Sequence, residues 1–265
     1  MILLQYFSEK KYDQLVIDYI TAETNYDFIE EIGVGAYGVA YLLEDSATHE
    51  KYVLKRMKTK HRHKKKIRHK FEQEIKILKE TDLPNVPALI SHGDIRDTPF
   101  YIMDYVEGKT FEQAIFREGQ TFSVEQSLKI TKELLEIIME FHKKGIVHRD
   151  LRIPNILFKE NRLNIIDFGL AAYKKNEVPI EEITNPKRTE NHISDLYFIG
   201  HFLLFLLYSD YTPSKKKEQG WQEELLLPPE VINYIERLLL IRSPFSSAED
   251  ALQDLSLISK AQAQT

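Results

Sequence analysis

The chain contains no cysteine among its 265 residues. That excludes a disulfide framework and thiolate metal sites, and it fits a reducing compartment without requiring one. A long apolar run is also lacking. The longest, Leu196 to Tyr208, is interrupted by His201 and falls short of the ~20 residues that cross a bilayer, so it reads as a buried core helix. The opening Met1-Ile2-Leu3-Leu4 passes at once into polar residues, without the apolar stretch of a secretory signal. No internal repeat and no low-complexity linker breaks the sequence. A cytoplasmic location is the expectation. Net charge is only −5, so the global balance demands neither nucleic acid nor a membrane. What is present is ordinary for a globular protein: 43% hydrophobic and 29% charged residues, in a length that suits one domain or two closely packed lobes.

Along the chain, Tyr12, Leu15, Val16, Tyr19 and Ile20 share one face of a short amphipathic helix, expected to pack on the domain after it. Strand-like segments then run over Tyr26 to Ile32, Val39 to Glu44 and Lys51 to Met57. A helix is expected with Ile67, Phe71, Ile75 and Leu78 on one face, and Phe100 to Val106 reads as another strand. The remainder is mainly helical. Ser123 and Gln126 form a capping box for a helix from Val124 to about Lys144, which Gly145 stops. Short β-like segments come next, at Ile156 to Phe158 and Leu163 to Ile166. Helices are expected near Ser194, after Pro228-Pro229, and from Ala248 behind a Ser247 cap. The β-rich first third gives way to helix near Glu107-Gly108. This gives an α+β chain with a helical extension over 1–25 and parts at 26–107 and 108–265.

Gly33-x-Gly35-x-x-Gly38 lies between two strands rather than between a strand and a helix. That context separates it from a dinucleotide-binding turn and leaves two readings, an ordinary hairpin or a flap whose N–H groups cover phosphates. Lys55 sits on an apolar strand. Glu74 lies within the apolar stripe of the next helix, three residues from Phe71 and four from Leu78. An inward carboxylate needs a partner, and Lys55 is the natural one.

His148-Arg149-Asp150-Leu151-Arg152-Ile153-Pro154-Asn155, with Asp167-Phe168-Gly169 after it, resembles the protein kinase family, and the likeness covers roughly residues 26 to 255. It is similar to the compact, eukaryotic-like (Hanks-type) serine/threonine kinases of bacteria. The resemblance implies a two-lobed fold, with a β-rich N-lobe carrying one key helix and a mainly helical C-lobe. By it, Gly33, Gly35 and Gly38 would cover the phosphates of ATP. Lys55, anchored by Glu74, would hold the α- and β-phosphates. Asp150 would accept the substrate hydroxyl's proton, and Asn155 and Asp167 would bind Mg²⁺, or Mn²⁺ in its place. Arg152 would reach the γ-phosphate. Met103 would guard a back pocket while Asp104 and Val106 offer backbone groups to adenine. Asp195 would hold the catalytic loop's backbone, its other reading being a helix cap. The implied partner is a protein substrate.

The chain departs from the family in three places. The segment between Gly169 and Asp195 is short and has no Ala-Pro-Glu. The arginine that pairs with that glutamate is missing from Ser243 to Ala248. Arg152 stands where serine/threonine kinases carry lysine, which weakens the choice of serine or threonine over tyrosine. Arg149 before Asp150 makes Thr184 and Thr189 candidate phosphorylation sites, or plain loop residues. The basic run from Lys58 to Lys70 is either a solvated surface or a dock for a polyanion such as nucleic acid. A pseudokinase scaffold and a small-molecule kinase stand as alternatives to a protein kinase.

Overall fold

The computed structural model describes residues 2–160, 162–175, 179–212 and 219–262. The chain divides into two compact units, Met1–Glu107 and Gly108–Thr265.

The first unit opens with α1 (Ile2–Glu23), a helix of 22 residues. It is much longer than the apolar spacing from Tyr12 to Ile20 suggests, and Tyr12, Val16 and Ile20 within that spacing are buried. Five antiparallel strands come after it: β1 (Tyr26–Val34), β2 (Gly38–Asp45), β3 (Lys51–Met57), β4 (Leu89–Ile95) and β5 (Thr98–Asp104), in the order β1-β2-β3-β5-β4. Strand β4 is not foreshadowed by apolar alternation. Its Ser91-His92-Gly93-Asp94 centre is polar, and it is an edge strand, which tolerates this.

Alternation along β3 explains how the sheet is covered. Leu54 joins Tyr12, Val16 and Ile20 of α1 in one buried cluster with Tyr41, Phe100 and Ile102. Lys55 points the other way, to Glu74 of α2 (Lys65–Thr81). Neighbouring residues of a strand face opposite sides, so α1 and α2 cover opposite faces of the sheet. The buried face of α2 carries Phe71, Glu74, Ile77 and Leu78, whereas Ile67 and Ile75 are only half-buried.

The second unit begins with β6 (Lys109–Thr110) and α3 (Phe111–Phe116), a short helix that starts at a capping box of Thr110 and Gln113. The long α4 (Val124–Lys143) starts at the expected box of Ser123 and Gln126. It ends where Gly145 takes φ +70, a conformation open to glycine at little cost. Then come β7 (Ile146–Val147), β8 (Ile156–Lys159), β9 (Arg162–Ile165) and β10 (Ala172–Tyr173), short strands that hold the intervening loops: β6-β8-β9 form one small sheet and β7-β10 another. Among the described residues four helices complete the unit: α5 (His192–Tyr208), α6 (Trp221–Glu224), α7 (Pro229–Leu238) and α8 (Ala248–Gln262). Helix α5 is buried on nearly every side, as its apolar run requires. It starts at His192, close to the expected Ser194, and its cap is Asn191, whose Oδ1 accepts from Ile193 N at 3.1 Å, not Asp195. Ser247 caps α8, accepting from Asp250 N at 3.1 Å. Among the described residues no helix is long and apolar enough to cross a membrane.

Candidate active site

The candidate residues fall into two groups, one in each unit. In the first unit the glycine-rich turn joins β1 to β2, closed by a bond from Gly35 N to Gly38 O at 3.0 Å. At Gly38 a Cβ would lie 2.9 Å from the Arg56 carbonyl oxygen on β3, so only glycine fits there. At Gly33 a Cβ would meet nothing within 4 Å, and at Gly35 only the Gly38 oxygen at 3.8 Å. Packing within the chain therefore gives no reason for these two glycines.

Lys55 Nζ lies 2.7 Å from Glu74 Oε1. The Tyr101 hydroxyl donates to the same oxygen at 2.9 Å. Tyr101 is paired in register with Lys55 across β3 and β5, which puts both side chains on the α2 face. Glu74 is 3% exposed, so its charge is balanced by these donors rather than by water. Alternation along β3 cannot reach Tyr101, which is on another strand; the β3–β5 register sets it opposite Lys55. Strand β5 ends at Asp104, two residues earlier than expected, with Val106 beyond it. The Asp104 N–H donates to Ala88 O at 3.0 Å, and the Tyr105 N–H donates to Lys51 O at 3.2 Å. Any contact from Asp104's backbone to a ligand would thus use its carbonyl.

In the second unit, the loop from His148 to Asn155 turns tightly about Asp150. Arg152 forks onto the Asp150 carboxylate, Nε to Oδ1 at 2.5 Å and Nη2 to Oδ2 at 3.0 Å. Asn155 Nδ2 donates to Asp150 O at 2.9 Å and to its Oδ2 at 2.8 Å. The Asn155 amide is thereby fixed, its nitrogen committed to Asp150.

The backbone of this loop is held from α5. The fully buried Asp195 carboxylate accepts the His148 N–H at 3.0 Å and the Arg149 N–H at 2.7 Å. His142 Nε2 completes the set at 2.9 Å, a partner that nothing in its sequence position reveals. Burial would raise the Asp195 pKa, but His142 and the backbone donor at Arg149 hold it below the usual carboxylate range. Arg149 itself has φ +65, which costs a non-glycine residue strain that its bond to Asp195 offsets. His148 is buried, with ring centroids 4.8 Å from Phe168 and 6.3 Å from Phe141. Burial lowers its pKa, so the ring is neutral, with Nδ1 accepting from Asp150 N at 3.3 Å.

Asp167 also has φ +63, and its Oδ1 accepts from Gly169 N at 3.3 Å. It is close enough to Arg152 to favour that guanidinium's charge. Phe168, 1% exposed, anchors this turn in the core beside His148. Arg149 reaches the segment after it: its guanidinium donates to Leu170 O at 3.3 Å and Arg188 O at 2.9 Å, and lies 3.6 Å from Glu190. Lys175 pairs with Glu190 at 2.5 Å. Thr184 is exposed, whereas the Thr189 hydroxyl donates to Pro186 O at 2.9 Å. In the basic run, Arg68 is taken up by Glu72 and Asp94, each at 2.9 Å, and His61 is buried.

A family model described as the protein kinase domain matches residues 26–197. Over 231 residues the chain is 38% identical to a probable serine/threonine-protein kinase, YbdM, of Bacillus subtilis (strain 168), covering 87% of this chain and 88% of that protein. It is 27% identical over 249 residues to calcium-dependent protein kinase 7 of Arabidopsis thaliana, and 33% identical over 153 residues to myosin light chain kinase A of Dictyostelium discoideum. These alignments cover 87% and 56% of this chain but only 44% and 51% of the two relatives. The chain thus spans most of the Bacillus protein and about half of the other two.

Proposed function

This chain belongs to the protein kinase family and is an ATP-dependent serine/threonine protein kinase, and we propose that Asp150 is the group that receives the acceptor hydroxyl's proton as the γ-phosphoryl moves. One observation carries the reading: the Asp150 carboxylate is gripped by the Arg152 fork and the Asn155 amide, on a loop whose backbone Asp195 holds. A base held this firmly stays oriented for its proton, and phosphoryl transfer asks little of a protein beyond positioning and charge.

Lys55, kept in place by Glu74 and Tyr101, is assigned to the α- and β-phosphates. The glycine-rich turn is assigned to the phosphates as well. Gly33 and Gly35 lack a packing reason within the chain, as a flap that must approach a ligand closely would. The Asp104 carbonyl and the Val106 backbone are assigned to adenine. Arg152 is assigned to the γ-phosphate as it transfers.

The divalent ion in this proposal is Mg²⁺, with Mn²⁺ as a substitute, held by Asn155 Oδ1 and the Asp167 carboxylate. Both are hard oxygen donors, and the two bonds from Asn155 Nδ2 turn its oxygen into the free end of the amide. Among the described residues no cluster of three or more His, Cys, Asp or Glu could cage a cation. That suits an ion bound by one or two side chains and completed by phosphates and water. When bound, it would neutralise charge on the transferring phosphoryl group.

The substrate is a protein serine or threonine. With no Ala-Pro-Glu in the segment before α5, its docking surface differs from the family's usual one. Docking of a polyanion on residues 58–70 forms no part of the proposal. A cytoplasmic site of action suits an enzyme that draws on ATP, and cell fractionation checks it.

The decisive experiment is transfer from radiolabelled ATP by the wild type and Asp150→Asn, with phosphoamino acid analysis of the products. Label on serine or threonine should fall by about 10²–10⁴ in the variant. Equal label in both would remove Asp150 from the role of base.

A further inference from the structure

Arg56 is next to Lys55 on β3 and points to the opposite face, where it is 1% exposed. A guanidinium so deeply buried needs partners on every side. Here they come from α1. Arg56 Nη1 donates to Glu9 Oε2 at 2.9 Å, and Nη2 donates to Asp13. Nε donates to the Tyr41 hydroxyl at 2.7 Å, and that hydroxyl in turn donates to Asp13. The Tyr12 ring lies under the guanidinium with its centroid 5.2 Å away. Well-packed apolar side chains often replace a buried ion pair at no loss of stability, so burial alone does not account for this ionic cluster, and its geometry does.

The cluster leads to the glycine-rich turn. The second oxygen of Glu9, Oε1, accepts from Thr59 Oγ1 at 2.6 Å and from Lys60 N at 3.4 Å. It thereby fixes the single 3₁₀ turn Thr59–His61. From this turn His61 sets Nε2 3.4 Å from the Ala36 carbonyl oxygen and its ring 5.7 Å from that of Tyr37. Just ahead of it, Lys58 N donates to Tyr37 O at 2.8 Å. Ala36 and Tyr37 form the tip between Gly35 and Gly38, and the Arg56 carbonyl itself abuts Gly38.

We propose that Glu9 and Asp13 of α1 are positioning residues for the phosphoryl donor: through Arg56 and the Thr59–His61 turn they set the glycine-rich turn and the Lys55 strand for ATP. Helix α1 is on this account part of the nucleotide site's support, not an appendage. The inference rests on the reading that Lys55 and the glycine-rich turn hold ATP.

The test uses the full chain and measures KM for ATP, KM for protein substrate, kcat and Tm in Glu9→Gln, the double variant Glu9→Gln with Asp13→Asn, and Thr59→Val. KM for ATP should rise about tenfold in the double variant, the loss of charged hydrogen bonds at the support, while protein-substrate KM and kcat stay within about twofold. Asp13→Glu, which keeps the carboxylate, should restore most of the ATP affinity. A lowered Tm with KM for ATP unchanged would make the cluster merely structural and overturn the proposal. Should the double variant fail to fold, Thr59→Val decides: it removes the shorter of the two bonds from Glu9 to the turn, leaving only the 3.4 Å bond from Lys60 N and the whole Arg56 cluster in place, and an unchanged KM for ATP there is equally fatal. Lys55→Met runs alongside. If it leaves ATP-dependent activity intact, the underlying assignment of Lys55 fails, whatever the α1 variants do.

Discussion

Arg152 stands two positions beyond Asp150 and grips its carboxylate with two nitrogens. A lysine could supply the charge but not the planar fork, and a methionine neither. Arg152→Lys should therefore keep most of kcat, whereas Arg152→Met should lose about a hundredfold, the usual size for one charge-stabilising donor. Steady-state kinetics at saturating ATP distinguishes the two, and equal rates in both variants would show that the charge at position 152 has no part in turnover. Glu74 is the corresponding point in the first unit. Glu74→Gln leaves Lys55 without its 2.7 Å carboxylate. kcat/KM for ATP should fall by about 10–100-fold with little change in KM for protein substrate. A larger effect on the protein substrate than on ATP would argue against this role.

At the scale of the element, the first turn of α5 does two jobs with side chains close together. Asn191 caps the helix, and Asp195 reaches out of it to hold the N–H groups of His148 and Arg149. Asparagine at 195 would keep one oxygen and turn an NH₂ toward a donor. Asp195→Asn should cost about 1.5–3 kcal/mol in urea unfolding, and it should lower kcat because Arg149 at φ +65 loses its restraint. Asn191→Ala should cost about 1 kcal/mol, as caps do, with kcat retained. If the two variants lost activity alike, the special place of Asp195 would be disproved. The contacts of Arg149 with Leu170, Arg188 and Glu190 place a carboxylate beside the arginine without any modification. Glu190→Gln, which removes the charge shared by Arg149 and Lys175, should lower activity in protein purified free of phosphate.

Over the whole molecule, the histidines set an acid limit. Burial lowers the pKa of His148 and of His201, and that of His61 in the first unit. The unfolded chain binds these protons near the ordinary value of 6.5, and the folded chain only at lower pH. The unfolded state therefore holds more protons in that window, and stability falls as pH drops through 6.5. Asp195, also lowered, loses its contribution only as pH falls below its ordinary 3.8 toward the folded value. His49 shifts upward through Glu44 and acts in the opposite sense, but it is exposed and screened. Tm measured from pH 8 to pH 5 should be flat at first and then decline below about pH 6.5. A profile flat to pH 5 would contradict the buried, neutral state of His148.

Local chemistry was enough to read much of this molecule from its sequence. Strand β3, the capping box of α4, the stop at Gly145, the buried run of α5 and the inward Glu74 come from alternation, caps and the need of a buried charge for a partner. The change at Glu107-Gly108 was visible as a change of periodicity. Short-range pattern could not show edge strand β4 or the brief α3, because neither is long or periodic enough to leave a mark. Nor could it show contacts that depend on register or on chain segments distant in sequence. Tyr101 faces Glu74 because β5 pairs with β3 in one register; His142 meets Asp195 because α4 packs beside α5; and Arg56 is charged and buried because α1 brings Glu9 and Asp13 across the sheet. Sequence spacing encodes which face a side chain takes on its own element, while its partner on that face is chosen by packing.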